Sequence, residues 1–419
     1  MEITRRDFLR GTLATTGGLL LGGTALNSLR IPSLGAAGGE IEVGSLLDGT
    51  GPINIYGLPM IDATKFAVDD INSQGGVLGK KLKLVAFDTQ STNERYTQYA
   101  TRLILQEKVA VIHGGITSAS REAIRPLMAK HKMLYFYNEQ YEGGVCDKNV
   151  FSTGVTPAQQ LGTLVPWAIK EYGAKCYTIA ADYNYGHISA DWVKVFLNKN
   201  NGTLVKEEFF PLDVTDFSAT VNKIQEAKPS FVMSLLVGGN HIAFYRQYAA
   251  AGMKDKIPIV SPTIGLGNEQ VVLAPKEAQG ITVVYPYFQE LDNSANREFV
   301  KRWRARFGSK HAYITDSANI VWTGWHLWAM AVNKAGSLDL NRVVKALESG
   351  LTFDAPEGRV KLDPQSHHVI HTVHLAQIND KRGFKILKTF PNVPPADTMD
   401  VCNLLTNPNQ HIQYTPKTK

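Results

Sequence analysis

Hydrophobic positions along the first third of the chain follow two alternating patterns, and these predict strands that alternate with helices. Short, mostly apolar runs are typical of buried parallel strands, and they lie at residues 41–47, 81–88, 109–112 and 133–137. Helical spacing between the first two runs is carried by Met60, Ala63, Phe66, Ala67 and Ile71. A strand–helix alternation of this kind predicts a largely parallel sheet with helices on both faces.

The alternation restarts after residue 154 and predicts a second set of elements. The expected helices lie at 157–172, 242–251, 295–307, 317–335 and 340–347, and the expected strands at 176–180, 204–211, 231–236, 257–260, 281–288, 358–362, 369–378 and 384–389. We therefore expect an α/β protein with two doubly wound parallel-sheet lobes, in which the late elements return to both lobes.

The predicted boundaries follow from this order of elements. Lobe 1 takes residues 38–154 and 287–350, lobe 2 takes 155–286 and 351–392, and 393–419 form a C-terminal tail whose structure the pattern does not predict. Three crossovers, near 153–156, 286–288 and 348–353, would form a three-segment hinge. Ligands of open α/β sheets bind beyond the carboxyl ends of the strands, so we expect a ligand between the lobes and an open–closed equilibrium.

The turn at residues 113–121 is the most informative of the strand-end loops. Gly114 and Gly115 allow a sharp turn and a close approach of a ligand. Thr117 or Ser118 can cap the helix that follows, and its first N–H groups can hold a small acceptor group. The alternative is an ordinary N-cap, since every doubly wound fold has several such turns.

Composition narrows the class of protein. Hydrophobic residues make up 44% of the 419-residue chain and charged residues 20%, which is typical of a globular protein. The net charge of +6 is spread along the chain, so we expect no nucleic-acid partner. Cys146, Cys176 and Cys402 are too few for a disulfide framework; one pair can form in an oxidising compartment, and the sequence leaves open which one.

The N-terminus has the features of an export signal. Arg5 and Arg6 precede Phe8-Leu9 and a weakly apolar, glycine-containing run, and small residues follow at 34–37. This order predicts a twin-arginine signal peptide over residues 1–37. A membrane anchor is the alternative, but the run is short and diluted by glycine. No cysteine follows it, so we expect a periplasmic or extracellular protein without a lipid anchor.

Motifs for catalysis or for metal binding are weak. The chain has neither a phosphate-binding P-loop nor a Gly-x-Ser-x-Gly elbow, although a triad assembled from distant residues stays open. His368 and His374 would share one face of a strand, and His367 and His371 the other, which does not make one ligand set. We expect these histidines to be solvated or hydrogen-bonded in an exposed hairpin, and we expect no metal and no cofactor.

Tyrosines at strand ends favour a binding site for a small polar molecule. They are Tyr135, Tyr137, Tyr141, Tyr183 and Tyr185. A tyrosine offers a flat apolar face and one hydroxyl, which suits a small ligand enclosed on all sides. The alternative, packing at the edge of a core, explains any two of them but explains less well their placement at equivalent strand ends of both lobes.

Several segments resemble type I periplasmic binding proteins of ABC transporters. The segments are Leu-Asp-Gly-Thr-Gly at 47–51, Gly-Gly-Val-Leu-Gly-Lys at 75–80, Thr-Ser-Ala-Ser-Arg at 117–121, Gln-Tyr-Glu-Gly at 140–143, Ala-Asp-Tyr at 181–183 and Asp-Ala-Pro-Glu-Gly at 354–358. The chain is most similar to the urea and short-chain-amide branch, with branched-chain amino acid binders as wider relatives. The resemblance implies that a urea-like or amide solute is captured between the lobes and delivered to an inner-membrane permease.

The resemblance also implies which residues hold the ligand. By position they are Ser118 with the backbone of its turn, Tyr137, and the tyrosines Tyr183 and Tyr185. With Thr117, Tyr141 and Glu139 they form the predicted site. Glu139 departs from the family, which has a small neutral residue there; in the cleft it would favour a cationic or N–H-rich ligand, and otherwise it would face solvent. The alternatives are an amino-acid binder of the same fold, an amide sensor and an amidohydrolase.

Overall fold

The computed structural model describes residues 39–417. The predicted signal peptide, including Arg5 and Arg6, lies outside these residues. Within the described part, no helix combines the length and the apolar character needed to cross a bilayer.

The first sheet is built from the N-terminal part of the chain. Its elements, with the helices between them, are β1 (Glu40–Leu47), α1 (Asn54–Ser73), β2 (Lys81–Asp88), α2 (Asn93–Leu105), β3 (Ile112–Gly114), α3 (Ser118–His131), β4 (Tyr135–Tyr137), β5 (Val145–Asp147) and β6 (Val150–Ser152). The sheet has the order β2-β1-β3-β4-β6, and all its pairings are parallel. The order reverses at β1, so the turns that follow β1 and β3 lie at a topological switch point.

A second set of elements follows in the same alternation. These are α4 (Pro157–Tyr172), β7 (Lys175–Ala181), α5 (Asn184–Lys199), β8 (Thr203–Phe210), α6 (Ser218–Ala227), β9 (Phe231–Leu235), α7 (Gly239–Ala250), β10 (Ile259–Val260), α8 (Glu269–Val272), α9 (Pro275–Ala278) and β11 (Thr282–Tyr285). Strands β7, β9, β10 and β11 pair in parallel and are fully buried apart from Lys175, which explains their unbroken apolar runs.

The late elements add helices beside the first sheet and strands to the second sheet. They are α10 (Ser294–Phe307), α11 (Asp316–Ala335), α12 (Leu340–Leu347), β12 (Thr352–Ala355), β13 (Gly358–Leu362), β14 (Val369–Ile378) and β15 (Phe384–Val393). The second sheet then runs β12-β13-β14-β11-β10-β9-β7-β8, with β15 on β14, and the strands added after β11 are antiparallel. Helix α11 packs on α1 and is buried along most of its length, so it belongs to the core beside the first sheet.

The segment after β15 also has a defined structure. Helix α13 (Ala396–Met399) leads to strand β16 (His411–Gln413), which pairs with β5 of the N-terminal region. Cys146, in β5, forms a disulfide with Cys402, and Cys176 is a free buried thiol. We call residues 394–417 the C-terminal strap, because they return across the chain to the loop that follows β4.

The predicted order of strands and helices is confirmed, with most bounds within three residues of the expected ones. The expected exposure of the histidine hairpin is wrong, whereas the expected hydrogen bonding of its histidines is confirmed. His367, His368, His371 and His374 are all buried, and each pairs with a different partner: Glu348, Tyr141, Glu357 and Thr389. The hairpin is buried because β14 is a central strand between β11, β13 and β15. No group of three or more metal-ligating side chains occurs in residues 39–417.

Candidate functional site

The turn between β3 and α3 presents backbone donors. Gly114 and Gly115 have φ values of 132° and 80°, and a side chain at either position would strike Leu46 or Tyr135. Thr117 is the N-cap of α3, and its hydroxyl oxygen accepts from the Ser120 N–H at 3.1 Å. The first N–H groups of a helix have no acceptor within the helix, so this end of α3 can donate to a ligand oxygen.

The Ser118 hydroxyl is committed as a donor to a neighbouring carboxylate. It donates to Oε2 of Glu142, and Arg121 donates to Oε1 of the same carboxylate at 2.7 Å. The side chains of Glu142 and Arg121 are fully buried. A serine hydroxyl has one proton and two lone pairs. Because that proton points to Glu142, the oxygen of Ser118 is left as an acceptor.

Arg121 is held away from the cavity by the same contacts. Its guanidinium lies 5.1 Å from the ring centre of Tyr137 and 4.5 Å from that of Tyr141. The Tyr137 hydroxyl donates to the Ile116 carbonyl at 2.6 Å, and the Tyr141 hydroxyl pairs with Nε2 of His368. These two predicted tyrosines therefore form a layer beneath the turn.

Glu139 is buried and is among the residues that line a cavity at this turn. Its side chain accepts from Ser317 Oγ and from the Gln140 N–H, each at 2.8 Å. Burial raises the pKa of Glu139 to about 7, partly offset by these two donors, and the nearby Glu269 raises it further. A carboxylate at this position can act as an acceptor beside Ser118.

A cavity lies among these groups and the strand ends of the second sheet. Its lining residues are Tyr56, Ile116, Thr117, Ser118, Glu139, Gln140, Tyr183, Tyr185, Val237, Thr263 and Leu266. The volume open to the centre of a water-sized sphere is about 30 Å³, and one water needs roughly 10–15 Å³ by that measure. The cavity thus suits a ligand of few non-hydrogen atoms, and no Lys or Arg is among the residues that line it.

Five of the seven predicted site residues line this cavity: Thr117, Ser118, Glu139, Tyr183 and Tyr185. The rings of Tyr183 and Tyr185 are 6.0 Å apart and close one side. Tyr137 and Tyr141 do not line it, and their role in ligand binding stays a prediction.

Sequence reasoning missed several lining residues. Tyr56 comes from α1, and its hydroxyl accepts from the Gly238 N–H at 2.9 Å. Thr263 and Leu266 lie in the loop after β10. The position of that loop, beyond a predicted parallel strand, was a usable signal, whereas nothing in the local pattern marked Tyr56.

A buried polar pair lies behind Thr263, one of the lining residues. Nδ1 of His241 and Oε1 of Glu269 are 3.5 Å apart, and both side chains are fully buried. Thr263 links the pair to the cavity, since its hydroxyl lies 3.0 Å from Nε2 of His241 and donates to the Leu236 carbonyl. The second sheet thus contributes polar groups as well as the tyrosine rings.

The sequence matches a known protein family. Residues 40–383 match the profile of the family described as periplasmic binding protein. The Leu/Ile/Val-binding protein homolog 6 of Brucella melitensis is 22% identical over 365 residues, covering 84% of this chain and 92% of that protein.

Solved structures of the same fold bind different solutes. A solute-binding protein of an ABC transporter from Rhodopseudomonas palustris, in complex with 3,4-dihydroxybenzoic acid, matches with a TM-score of 0.76 and 23% identity over 85% of this chain and 99% of that chain. A leucine-binding protein from Thermotoga maritima matches with a TM-score of 0.74 and 19% identity over 84% and 99%. At such identities the likeness shows the fold alone.

Proposed function

Because the chain belongs to the periplasmic binding protein family, we propose that its cavity captures a small neutral solute with a carbonyl group beside N–H groups, such as urea or a short-chain amide. Its fold is that of the solute-binding components of ABC transporters, related to Leu/Ile/Val-binding proteins, and such components act in the periplasm and bind solutes without transforming them.

The observation that carries this proposal is the direction of the Ser118 proton. With that proton donated to Glu142, Ser118 and Glu139 both offer oxygen lone pairs to the cavity. The start of α3 offers N–H groups beside them. Donors next to two acceptors complement a carbonyl that carries –NH₂ groups, and urea has four N–H donors for the two acceptors.

The charge of the lining argues against a free carboxylate as the main ligand group. Glu139 is the ionisable acid among the lining residues, and Arg121 already serves Glu142. A second carboxylate placed beside Glu139 would raise the cost of burying either one.

An amino acid is the second candidate, and Glu139 is the observation that favours it. An ammonium group would pair with this carboxylate, while the start of α3 would receive the ligand carboxylate. The Brucella relatives are named as homologues of Leu/Ile/Val-binding proteins, which is consistent with this alternative.

A thermal-shift screen of the wild type and Glu139→Val against urea, acetamide, leucine and guanidine tests the proposal. We expect urea and acetamide to raise the melting temperature of the wild type, and we expect Glu139→Val to move the preference from urea and guanidine towards acetamide. Acetate, which has the shape of acetamide but lacks its N–H donors, is the matched ligand control. A larger shift with leucine or acetate than with either amide would overturn the proposal.

Two further parts of the proposal concern the route of the protein and its partner. We propose that residues 1–37 direct export by the twin-arginine route and that the closed form delivers its solute to an inner-membrane permease. Replacement of both Arg5 and Arg6 by Lys should leave the precursor in the cytoplasm. Product assays with urea and acetamide should detect no turnover, and turnover would instead indicate an amidohydrolase.

A further inference from the structure

The C-terminal strap contacts the start of α4 and the loop after β4, which contains Glu142. In α13, the Asp397 carboxylate accepts from the hydroxyl of Thr156 and from the Ala158 N–H, while the Thr398 hydroxyl accepts from the Gly144 N–H at 2.9 Å. The Cys146–Cys402 disulfide and the β5–β16 pairing fasten the strap on either side.

The end of β16 reaches the carboxylate that receives the Ser118 proton. Nε2 of Gln413 donates to Oε1 of Glu142 at 2.5 Å and to the Gly143 carbonyl at 3.1 Å. Three side chains therefore converge on Glu142: Ser118 and Arg121 from α3, and Gln413 from the strap.

We propose that the C-terminal strap contributes one residue to the solute-binding machinery, Gln413, a positioning residue that acts on the ligand through Glu142 and Ser118. Gln413 does not line the cavity. Its amide shares Oε1 of Glu142 with Arg121, which leaves Oε2 directed at Ser118. The strap thereby keeps Ser118 an acceptor towards the cavity and favours ligands that donate.

The loss of Gln413 has a defined consequence in this arrangement. Without the amide, the Glu142 carboxylate has one fewer donor and can rotate towards Arg121. The Ser118 hydroxyl is then free to turn its proton towards the cavity, which weakens the discrimination between a ligand N–H group and a ligand oxygen.

Hydrogen exchange tests the positioning without any ligand. We compare Gln413→Ala and Gln413→Glu with Gln410→Ala, a matched control, because Gln410 lies in the same strap and donates to Tyr414 at 3.0 Å instead of to Glu142. The Ser120 and Arg121 amides, which bond to Thr117, should exchange about threefold faster or more in both Gln413 variants and at the wild-type rate in the control. Wild-type exchange in both Gln413 variants would overturn the proposal.

A double-mutant cycle tests whether Gln413 acts through Ser118, and this arm rests on the proposed amide or urea function. Gln413→Ala should weaken acetamide binding about three- to tenfold and narrow the preference for acetamide over acetate. In a Ser118→Ala background the same change should have little further effect, because the group it positions is gone. If the affinity losses of the two single variants multiply in the double variant, the two residues act independently, and this result would overturn the route through Ser118. If the wild type binds neither acetamide nor urea, the proposed function fails, and the exchange experiment alone decides the role of the strap.

Discussion

Ser118, which lines the cavity, and Glu142 form a buried donor–acceptor pair. The two residues lie 24 positions apart, at the start of α3 and in the loop after β4, and the hydroxyl donates to the carboxylate. A serine at a helix start is often regarded as a donor to a ligand. In this protein its only proton is already donated to Glu142, so the proposed function requires the ligand group that faces Ser118 to carry the hydrogen.

Substitution of Ser118 should weaken solute binding with little change in fold. For Ser118→Ala we expect a loss of about 1–3 kcal/mol in the binding free energy of urea or acetamide, because a ligand N–H group is left unpaired. Calorimetry measures the loss. Ser120→Ala is the matched control, since the Ser120 hydroxyl donates to the Thr117 carbonyl and does not line the cavity. Equal affinities for all three proteins would contradict the assignment of this turn.

Loss of the Tyr183 ring should open the cavity. Tyr183 and Tyr185 both line it, and Tyr183→Ala removes both stacking and enclosure. We expect a loss of binding free energy at least as large as that for Ser118→Ala, by the same calorimetry. Tyr172→Ala, on α4 and away from the lining, is the control, and a similar loss there would indicate a general effect on stability.

The affinity for urea should rise with pH. Burial raises the pKa of Glu139 to about 7, so the carboxylate is protonated below that pH and ionised above it. A ligand that donates N–H groups prefers the ionised form, and binding then releases the proton. We expect roughly tenfold tighter binding at pH 8 than at pH 6. Below the pKa of Glu139, binding of urea displaces one proton, so the affinity rises with pH until the carboxylate is ionised.

Glu139→Gln separates this effect from the titration of the nearby Asp316, whose pKa burial also raises. Urea and acetamide do not titrate in this range, so a wild-type slope that disappears in the variant belongs to Glu139. An unchanged slope in the variant would assign the pH dependence to another group.

The variant should also change how stability depends on pH. A carboxyl group whose pKa is raised on folding favours the folded state while it is protonated, and it opposes folding as the pH rises from its unfolded value near 4.5 through about 7. Glu139→Gln should therefore stabilise the ligand-free protein more at pH 8 than at pH 5, by roughly 1–3 kcal/mol. Chemical denaturation at the two pH values measures the difference.

Removal of the disulfide should reduce stability. The bond joins residues 256 positions apart, so it restricts the unfolded chain strongly. We expect Cys402→Ser to lower the free energy of unfolding by about 2–5 kcal/mol, and reductant to have the same effect on the wild type. Cys176→Ala, which leaves the bond intact, should keep its sensitivity to reductant. Three titratable thiols in the untreated protein would contradict the pairing.

Solute binding should also make the molecule more compact. Apart from Tyr56 on α1, the lining residues follow strands of both sheets, so a ligand that contacts both should favour the closed form. Small-angle scattering with and without saturating urea should show a smaller radius of gyration with the ligand. An unchanged radius with a ligand that calorimetry shows to bind would argue against a hinge.

Much of the fold could be predicted because its signals are local. The strands Lys81–Asp88 and Val369–Ile378 and the helix Pro157–Tyr172 have the bounds expected from periodicity. The same logic located Ser118, Glu139 and Tyr183 beyond strand ends. Tyr137 shows the limit of this reasoning, since it shares a face of β4 with Tyr135, and both hydroxyls donate to backbone carbonyls of the preceding turn.

The remaining parts depend on contacts between distant residues. Nothing near Gln413 indicates that it meets Glu142, which lies 271 positions earlier. The buried state of the histidines depends on the strands on both sides of β14, which the local pattern around Pro364 does not reveal. Local hydropathy reports whether a position is buried, and it does not report the partner that a buried polar group finds.

Gln413 follows every strand of both sheets in chain order, and this order affects when the site is finished during synthesis. Both sheets are encoded before residue 394, so a chain interrupted in the strap would still contain every strand of both sheets. It would lack the amide that contacts Glu142 and the thiol that pairs with Cys146. A prematurely terminated product that still folds would therefore discriminate poorly among solutes, and its competition with intact protein for the permease would reduce uptake without any loss of folded material.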